Sequence, residues 1–103
     1  MALQNFEFDW DPSKDRRNVA KHGVSFTNAL TIFSDPLALT LFDEAHSDDE
    51  DRWITLGAAK DGRLLVVIHT YRNTDVARVA VRIISARPAT KREARQYHDG
   101  RTP

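Results

Sequence analysis

The run Arg52-Trp-Ile-Thr-Leu-Gly-Ala-Ala59, Lys60-Asp-Gly62, Arg63-Leu-Leu-Val-Val-Ile-His-Thr-Tyr71, Arg72-Asn-Thr-Asp75, Val76-Ala-Arg-Val-Ala-Val-Arg-Ile-Ile-Ser-Ala-Arg87 decides the fold. Three β-rich segments are separated by two turn signals, which predicts a three-stranded antiparallel meander. Val, Ile, Leu, Trp and Tyr fill the segments, as a half-buried pleated surface requires. Four basic residues interrupt them: Arg52, His69, Arg82 and Arg87 stand inside the strands or at their ends. With Asp61-Gly62 as a two-residue turn, Ala58 pairs with Leu65, Leu56 with Val67 and Ile54 with His69. His69 then shares a face with Leu65, Val67 and Tyr71, and with Arg52 near the strand end. Arg82 shares a face with Ala80 and Ile84, whereas Arg87 has the opposite parity. It joins Arg82 only if the chain twists or turns after Ser85.

Working outward, Phe6, Phe8 and Trp10 alternate with Glu7 and Asp9, which predicts a short strand with one apolar face. Asp11 is a good N-cap and Pro12 is pre-set for the first helical position. The helix so begun runs to Lys21 or His22 and stops at Gly23, a left-handed C-cap. It is mostly polar, with Val19 and Ala20 as its few apolar contacts. Ser25 caps a second helix, with Val24 and Ala29 placed as a hydrophobic staple. Phe26, Ala29, Leu30 and Phe33 form its apolar stripe, and Ser34-Asp35-Pro36 ends it. Leu37, Leu39 and Leu41 alternate with Ala38 and Thr40, which suggests another strand. Beyond the meander, Thr90 and Glu93 make a capping box, and the helix that follows ends at Gly100. The predicted class is α+β: two N-terminal helices and a short C-terminal helix packed on an antiparallel sheet.

At 103 residues the expectation is one domain over 1–103. A hydrophobic content of 41% and a charged content of 29% fit a folded globular chain. There is no cysteine, which excludes a disulfide and a Cys-ligated zinc. The first residues lack the basic and apolar regions of a signal peptide, and no apolar run nears transmembrane length, so the expected location is cytoplasmic, away from membranes. The net charge of zero argues against simple nucleic-acid binding, yet it hides a division. Residues 1–51 hold 4 Lys/Arg against 11 Asp/Glu, and residues 52–103 hold 11 against 4. Such asymmetry hints at a polyanion partner for the basic half, unless the fold intermixes the charges. Six of the nine residues at 43–51 are carboxylates, with His46 among them. Their spacing matches no calcium loop, so a solvated acidic loop is expected, with no metal and no cofactor.

Arginines and a histidine on a sheet suit RNA. Guanidinium groups grip phosphate through a bidentate fork, and imidazole moves a proton near neutrality. RNA supplies its own nucleophile, the 2′-hydroxyl. Cleavage without a metal therefore needs a base for that hydroxyl, cations for the charge developing on phosphate, and an acid for the leaving oxygen. Against this stand plainer roles: an ion-paired surface arginine, a hydrogen-bonded structural His69, packing roles for Trp53 and Tyr71, and helix-dipole stabilisation by His22.

The chain resembles the BrnT family of bacterial type II toxins. The resemblance lies in Phe-Glu-Phe-Asp-Trp-Asp-Pro-Ser-Lys at 6–14, Asn18, Lys-His-Gly-Val-Ser-Phe at 21–26, Phe33, Asp35-Pro36, Asp51-Arg52-Trp53, Gly57, Leu-Val-Val-Ile-His-Thr at 65–70, Arg-Ile-Ile-Ser-Ala-Arg at 82–87 and Ala89-Thr90-Lys91-Arg92-Glu93. It implies a RelE-like ribonuclease toxin that inhibits translation. It also implies a BrnA-like antitoxin with a ribbon-helix-helix domain, and contact with operator DNA only through the toxin–antitoxin complex. Carried over by position, Arg52, His69, Arg82 and Arg87 are the candidates for the RNA-cleaving surface, with Lys21 and His22 from the helical motif. The arginines would hold phosphate and the transition state, and His69 would move the proton, with His22 in reserve. Arg63, Arg72, Lys91, Arg92 and Tyr97 complete the expected RNA-binding set. The rival reading is a non-catalytic module that docks an antitoxin or other acidic partner through its basic face.

Overall fold

The computed structural model describes residues 5–47, 50–75 and 78–100, with residues 5 and 73–75 described by backbone alone. The elements are β1 (Asn5–Asp9), α1 (Pro12–His22), α2 (Phe26–Ala29), a 3-10 turn (Leu30–Ser34), β2 (Leu39–Phe42), a second 3-10 turn (Glu44–His46), β3 (Trp53–Ala58), β4 (Leu64–Asp75), β5 (Arg78–Pro88) and α3 (Lys91–Asp99). This is the expected order of helices and strands. The five strands lie in the order β1-β5-β4-β3-β2. The pairs from β2 to β5 are antiparallel, but β1 runs parallel to β5, so the sheet is mixed. The two N-terminal helices carry the chain from one edge, across one face, to the other edge.

Local chemistry sets the helix ends. The Asp11 carboxylate accepts the Ser13 N–H at 2.9 Å, and Gly23 closes α1 at φ 70°. Ser25 Oγ accepts the Asn28 N–H at 3.1 Å to start α2. The expected single helix makes only one α turn before tightening to 3-10. There Thr31 donates its hydroxyl to the Asn28 carbonyl at 2.6 Å and accepts the Lys60 N–H at 2.8 Å. At α3 both halves of the Thr90/Glu93 capping box form. The buried residue of α1 is Asn18; Val19, expected to pack, is 47% exposed.

The core lies on the helix-covered, inner face of the sheet. Phe26, Ala29 and Ile32 pack on Leu65 and Val67 of β4 and on Val79, Val81, Ile83 and Ala86 of β5. Phe6, Phe8, Trp10 and Phe33 close its flank. The 3-10 turn sits so close to β3 that a Cβ on Gly57 would lie 3.1 Å from Ile32 Cβ.

Two features of register correct the expected arrangement. The β3–β4 turn holds three residues, Lys60 to Gly62, not two. Ala59 donates its N–H to the Arg63 carbonyl at 2.8 Å, and Gly62 adopts φ 94°. Trp53 therefore pairs with His69, and Thr55 with Val67. A slip of one residue sends every side chain of β3 to the other face. Arg52 accordingly stands on the face opposite His69. In β5 the register jumps at Ile84: His69 pairs with Ile83, but Ile68 pairs with Ser85. This bulge resets parity, so that Thr70 opposes Arg82 and Val66 opposes Arg87. Arg82 and Arg87 thus share the outer face. The turn signal at 72–75 also differs, since β4 runs through to Asp75; residues 76–77 lie outside the described residues.

Candidate nucleic-acid interface

The outer face collects the arginines. Arg82 projects from β5 beside Thr70 and Arg72 of β4, and all three line a cavity of about 680 Å³ with Tyr71 and four carboxylates: Glu7, Asp9, Glu50 and Asp51. Arg82 donates to Asp9 Oδ2 at 2.9 Å, an exposed pair. The acidic segment expected to be free in solvent therefore reaches the basic face through Glu50 and Asp51; Asp48 and Asp49 lie outside the described residues. Two residues along β4, Ile68 lines a neighbouring cavity of about 310 Å³ with Ile54, Ile84, Ser85, Arg52, Asp43 and His46.

Arg87 stands on the same face, roughly 16 Å from Arg82 along the strand. It forms a two-pronged pair with Glu93 of α3, at 2.8 and 2.9 Å. The guanidinium holds the Glu93 carboxyl down to about 2, and Glu93 in turn raises the pKa of Arg87. Tyr97, expected to meet RNA, donates its hydroxyl to Asp35 Oδ2 at 2.6 Å and anchors α3. The same Asp35 oxygen accepts the Ala58 N–H at 2.8 Å. Burial pushes the Asp35 carboxyl up, but the hydrogen bonds from Ala58, Tyr97 and Leu37 outweigh it and leave it low. Lys91 and Arg92 are exposed on the first turn of α3.

The remaining nominees are elsewhere. His69 is 0% exposed and faces the core, between the rings of Phe33 and Tyr71 at 4.9 and 4.8 Å. Its Nδ1 lies 3.4 Å from the Thr70 carbonyl, which assigns the proton there. Nε2 then accepts the Thr55 hydroxyl at 2.7 Å, and Thr40 Oγ1 lies 2.9 Å from Thr55 Oγ1. Burial depresses its pKa from 6.5 to about 4, so the ring is neutral at pH 7. Lys21 and His22 end α1, in the helical layer. Arg63 joins them there, donating to Asp61 at 2.9 Å and to the Gly23 carbonyl at 3.2 Å. A cation at that helix terminus complements its dipole. The structure brings Arg52, Arg72, Arg82 and Arg87 to one face; it does not bring His69, Lys21, His22 or Arg63 there.

The residue the sequence reading passed over is His46. Its Nδ1 lies 3.1 and 3.2 Å from the two carboxylate oxygens of Asp43. The available signal was Asp43 three residues before it, on a helical turn. Among the described residues, no group of three or more His, Asp or Glu converges to hold a metal ion.

Fold and face together define a small α+β protein whose sheet turns an arginine-bearing surface outward. The family model for the ribonuclease toxin BrnT of type II toxin–antitoxin systems matches residues 10–93, and the chain belongs to that family. Its structure is similar to the 1.1 Å crystal structure of the Brucella abortus ribonuclease toxin BrnT, with TM-score 0.62 and 24% identity over 85% of this chain and 100% of that one. No curated protein matches the chain. As a type II toxin, the chain has an antitoxin partner. Among the described residues no helix is long and apolar enough to cross a membrane.

Proposed function

We propose that this chain is a metal-independent endoribonuclease of RelE-like design that cuts RNA by 2′-hydroxyl transphosphorylation and so inhibits translation in the cytoplasm. One observation carries the reading: register and bulge together gather Arg52, Arg72 and Arg82 on a single exposed sheet face around Thr70. Three guanidinium groups within two adjoining cavities suit successive phosphates and the charge that develops at the scissile one. Arg87, clamped to Glu93, supports the face by fixing α3 rather than by meeting RNA. His69, sealed in the core and neutral, serves the fold, because a proton carrier must come within hydrogen-bond reach of its substrate. A BrnA-like antitoxin neutralises the chain, and operator DNA is contacted through that complex.

Incubation of purified protein with single-stranded RNA in EDTA tests this. Cleavage that persists in chelator and falls at least about 100-fold in Arg82→Ala is the expected result. RNA left whole by well-folded protein overturns it. A second reading, a docking module without chemistry, draws on the apolar groove of about 520 Å³ formed by Leu39, Leu41, Ile54, Leu56 and Val66 beside α3. Growth arrest on induction separates the two, since docking alone leaves cells growing.

A further inference from the structure

The geometry points to His46 as the group that moves the proton in RNA cleavage, held by Asp43 beside Arg52. This rests on the nuclease reading above and supplies the catalytic group that burial of His69 removes from it.

Three observations converge. First, Asp43 is only 9% exposed although it belongs to an acidic loop, and its carboxylate meets the His46 ring with both oxygens. A carboxylate so placed keeps the proton on Nδ1, fixes the ring and leaves Nε2 as the free base. Second, the His46 side chain is 70% exposed, so that Nε2 is open to a substrate. Third, the loop is stitched to Arg52 at its base. Asp43 donates its N–H to the Arg52 carbonyl at 2.8 Å, Arg52 donates its N–H to Ser47 Oγ at 3.0 Å, and Ser47 Oγ donates to the Asp43 carbonyl at 2.6 Å. This ring of three bonds sets Asp43, His46 and Arg52 around one cavity, with Ser85 on its wall.

The chemistry closes without a further reactant. Neutral His46 takes the 2′-hydroxyl proton on Nε2 while the 2′-oxygen forms a bond to phosphorus. The bond from phosphorus to the 5′-oxygen breaks, and that oxygen takes a proton from water. His46 then returns its proton to solvent, leaving a 2′,3′-cyclic phosphate and a 5′-hydroxyl. Arg52 faces the phosphate as its charge grows, and the imidazolium formed on His46 rests against the Asp43 carboxylate.

The test is single-turnover cleavage of a short single-stranded RNA by wild type, His46→Ala, Asp43→Asn and, as a control, His98→Ala on the exposed face of α3. His46→Ala is expected to slow cleavage 100- to 10,000-fold, within the range for a lost general base, while RNA affinity stays within about twofold. Added imidazole should restore part of the rate in His46→Ala and none in Arg82→Ala. Asp43→Asn should slow cleavage about tenfold or more, and His98→Ala should match wild type. A His46→Ala chain that cuts at the wild-type rate overturns the assignment alone. A rate loss matched by an equal loss of affinity, with no rescue by imidazole, also overturns it, since that marks a structural residue. Wild-type protein that leaves RNA uncut overturns the nuclease reading and this assignment together.

Discussion

At the scale of single residues, the two histidines of interest differ in setting as their sequence neighbours do. His69 sits among apolar strand residues, and burial is what that setting gives it. His46 sits among carboxylates, and one of them aims it. The consequence for His69 is a pH-dependent stability. Its folded-state pKa of about 4 lies below the ordinary 6.5, so between those values the unfolded chain binds the extra proton. Stability is full above about pH 6.5 and falls as the pH drops toward 4, by up to about 3 kcal/mol. Urea unfolding at a series of pH values should show this loss in wild type. A His69→Gln chain should show a flatter profile between pH 6.5 and 4.5, a window above that of Glu93, whose contribution is lost as the pH falls from its ordinary 4.5 to about 2. A wild-type profile that is level across that window would contradict the burial argument.

At the scale of elements, the decisive device is the bulge at Ile84, with a helix side chain bonded to the strand two residues beyond it. Asn18 on α1 donates to the carbonyls of Val24 at 2.8 Å and Ala86 at 2.7 Å, and its Oδ1 accepts the Ala86 N–H at 3.1 Å. Both backbone groups of Ala86 are thus turned from the ladder toward a helix, just past the extra residue. The bulge puts Arg87 on the outer face, where it meets Glu93. Asn18→Ala leaves those buried groups unpaired and should cost about 2–4 kcal/mol. If the bulge relaxes, the Glu93 carboxyl should also rise from about 2 toward the ordinary range, readable by carboxyl NMR titration. An Asn18→Ala chain with an unmoved Glu93 would show that the bulge holds without it. What the sequence disclosed divides along the same line. Asp11-Pro12, Gly23, Ser25 and the Thr90/Glu93 box were legible because a cap is settled within four residues. The parity of Arg52 hung on one residue of turn length, and that of Arg87 on one extra residue at Ile84, so neither could be read from local pattern. The expected register set Arg52 beside His69 and left Arg87 at odds with Arg82, whereas the structure has Arg52, Arg82 and Arg87 on the outer face and His69 in the core.

At the scale of the whole molecule, the division of charge between the two halves is undone by topology. The parallel pairing of β1 with β5 lays the acidic first strand against the basic last one: Glu7 meets Arg78 at 3.0 Å and Asp9 meets Arg82 at 2.9 Å. Glu50 and Asp51 face the same cavity from the acidic loop. The outer face is therefore no open cationic plate; phosphate competes there with the protein's own carboxylates. This predicts that relieving one of them strengthens RNA binding. In the Asp9–Arg82 pair the side chains are 69% and 50% exposed, a setting in which an ion pair adds at most about 1 kcal/mol to stability. Asp9→Asn should leave the unfolding midpoint nearly unchanged and free Arg82 for phosphate. Affinity for single-stranded RNA at low salt should rise several-fold and fall more steeply as salt is raised, the slope of log K against log salt growing by up to about 0.7 for one added phosphate contact. Fluorescence anisotropy with a labelled RNA at several salt concentrations measures both. Equal affinity and equal slope in Asp9→Asn would mean that Arg82 does not meet phosphate, and the RNA path would then have to avoid the cavity that Arg82 lines.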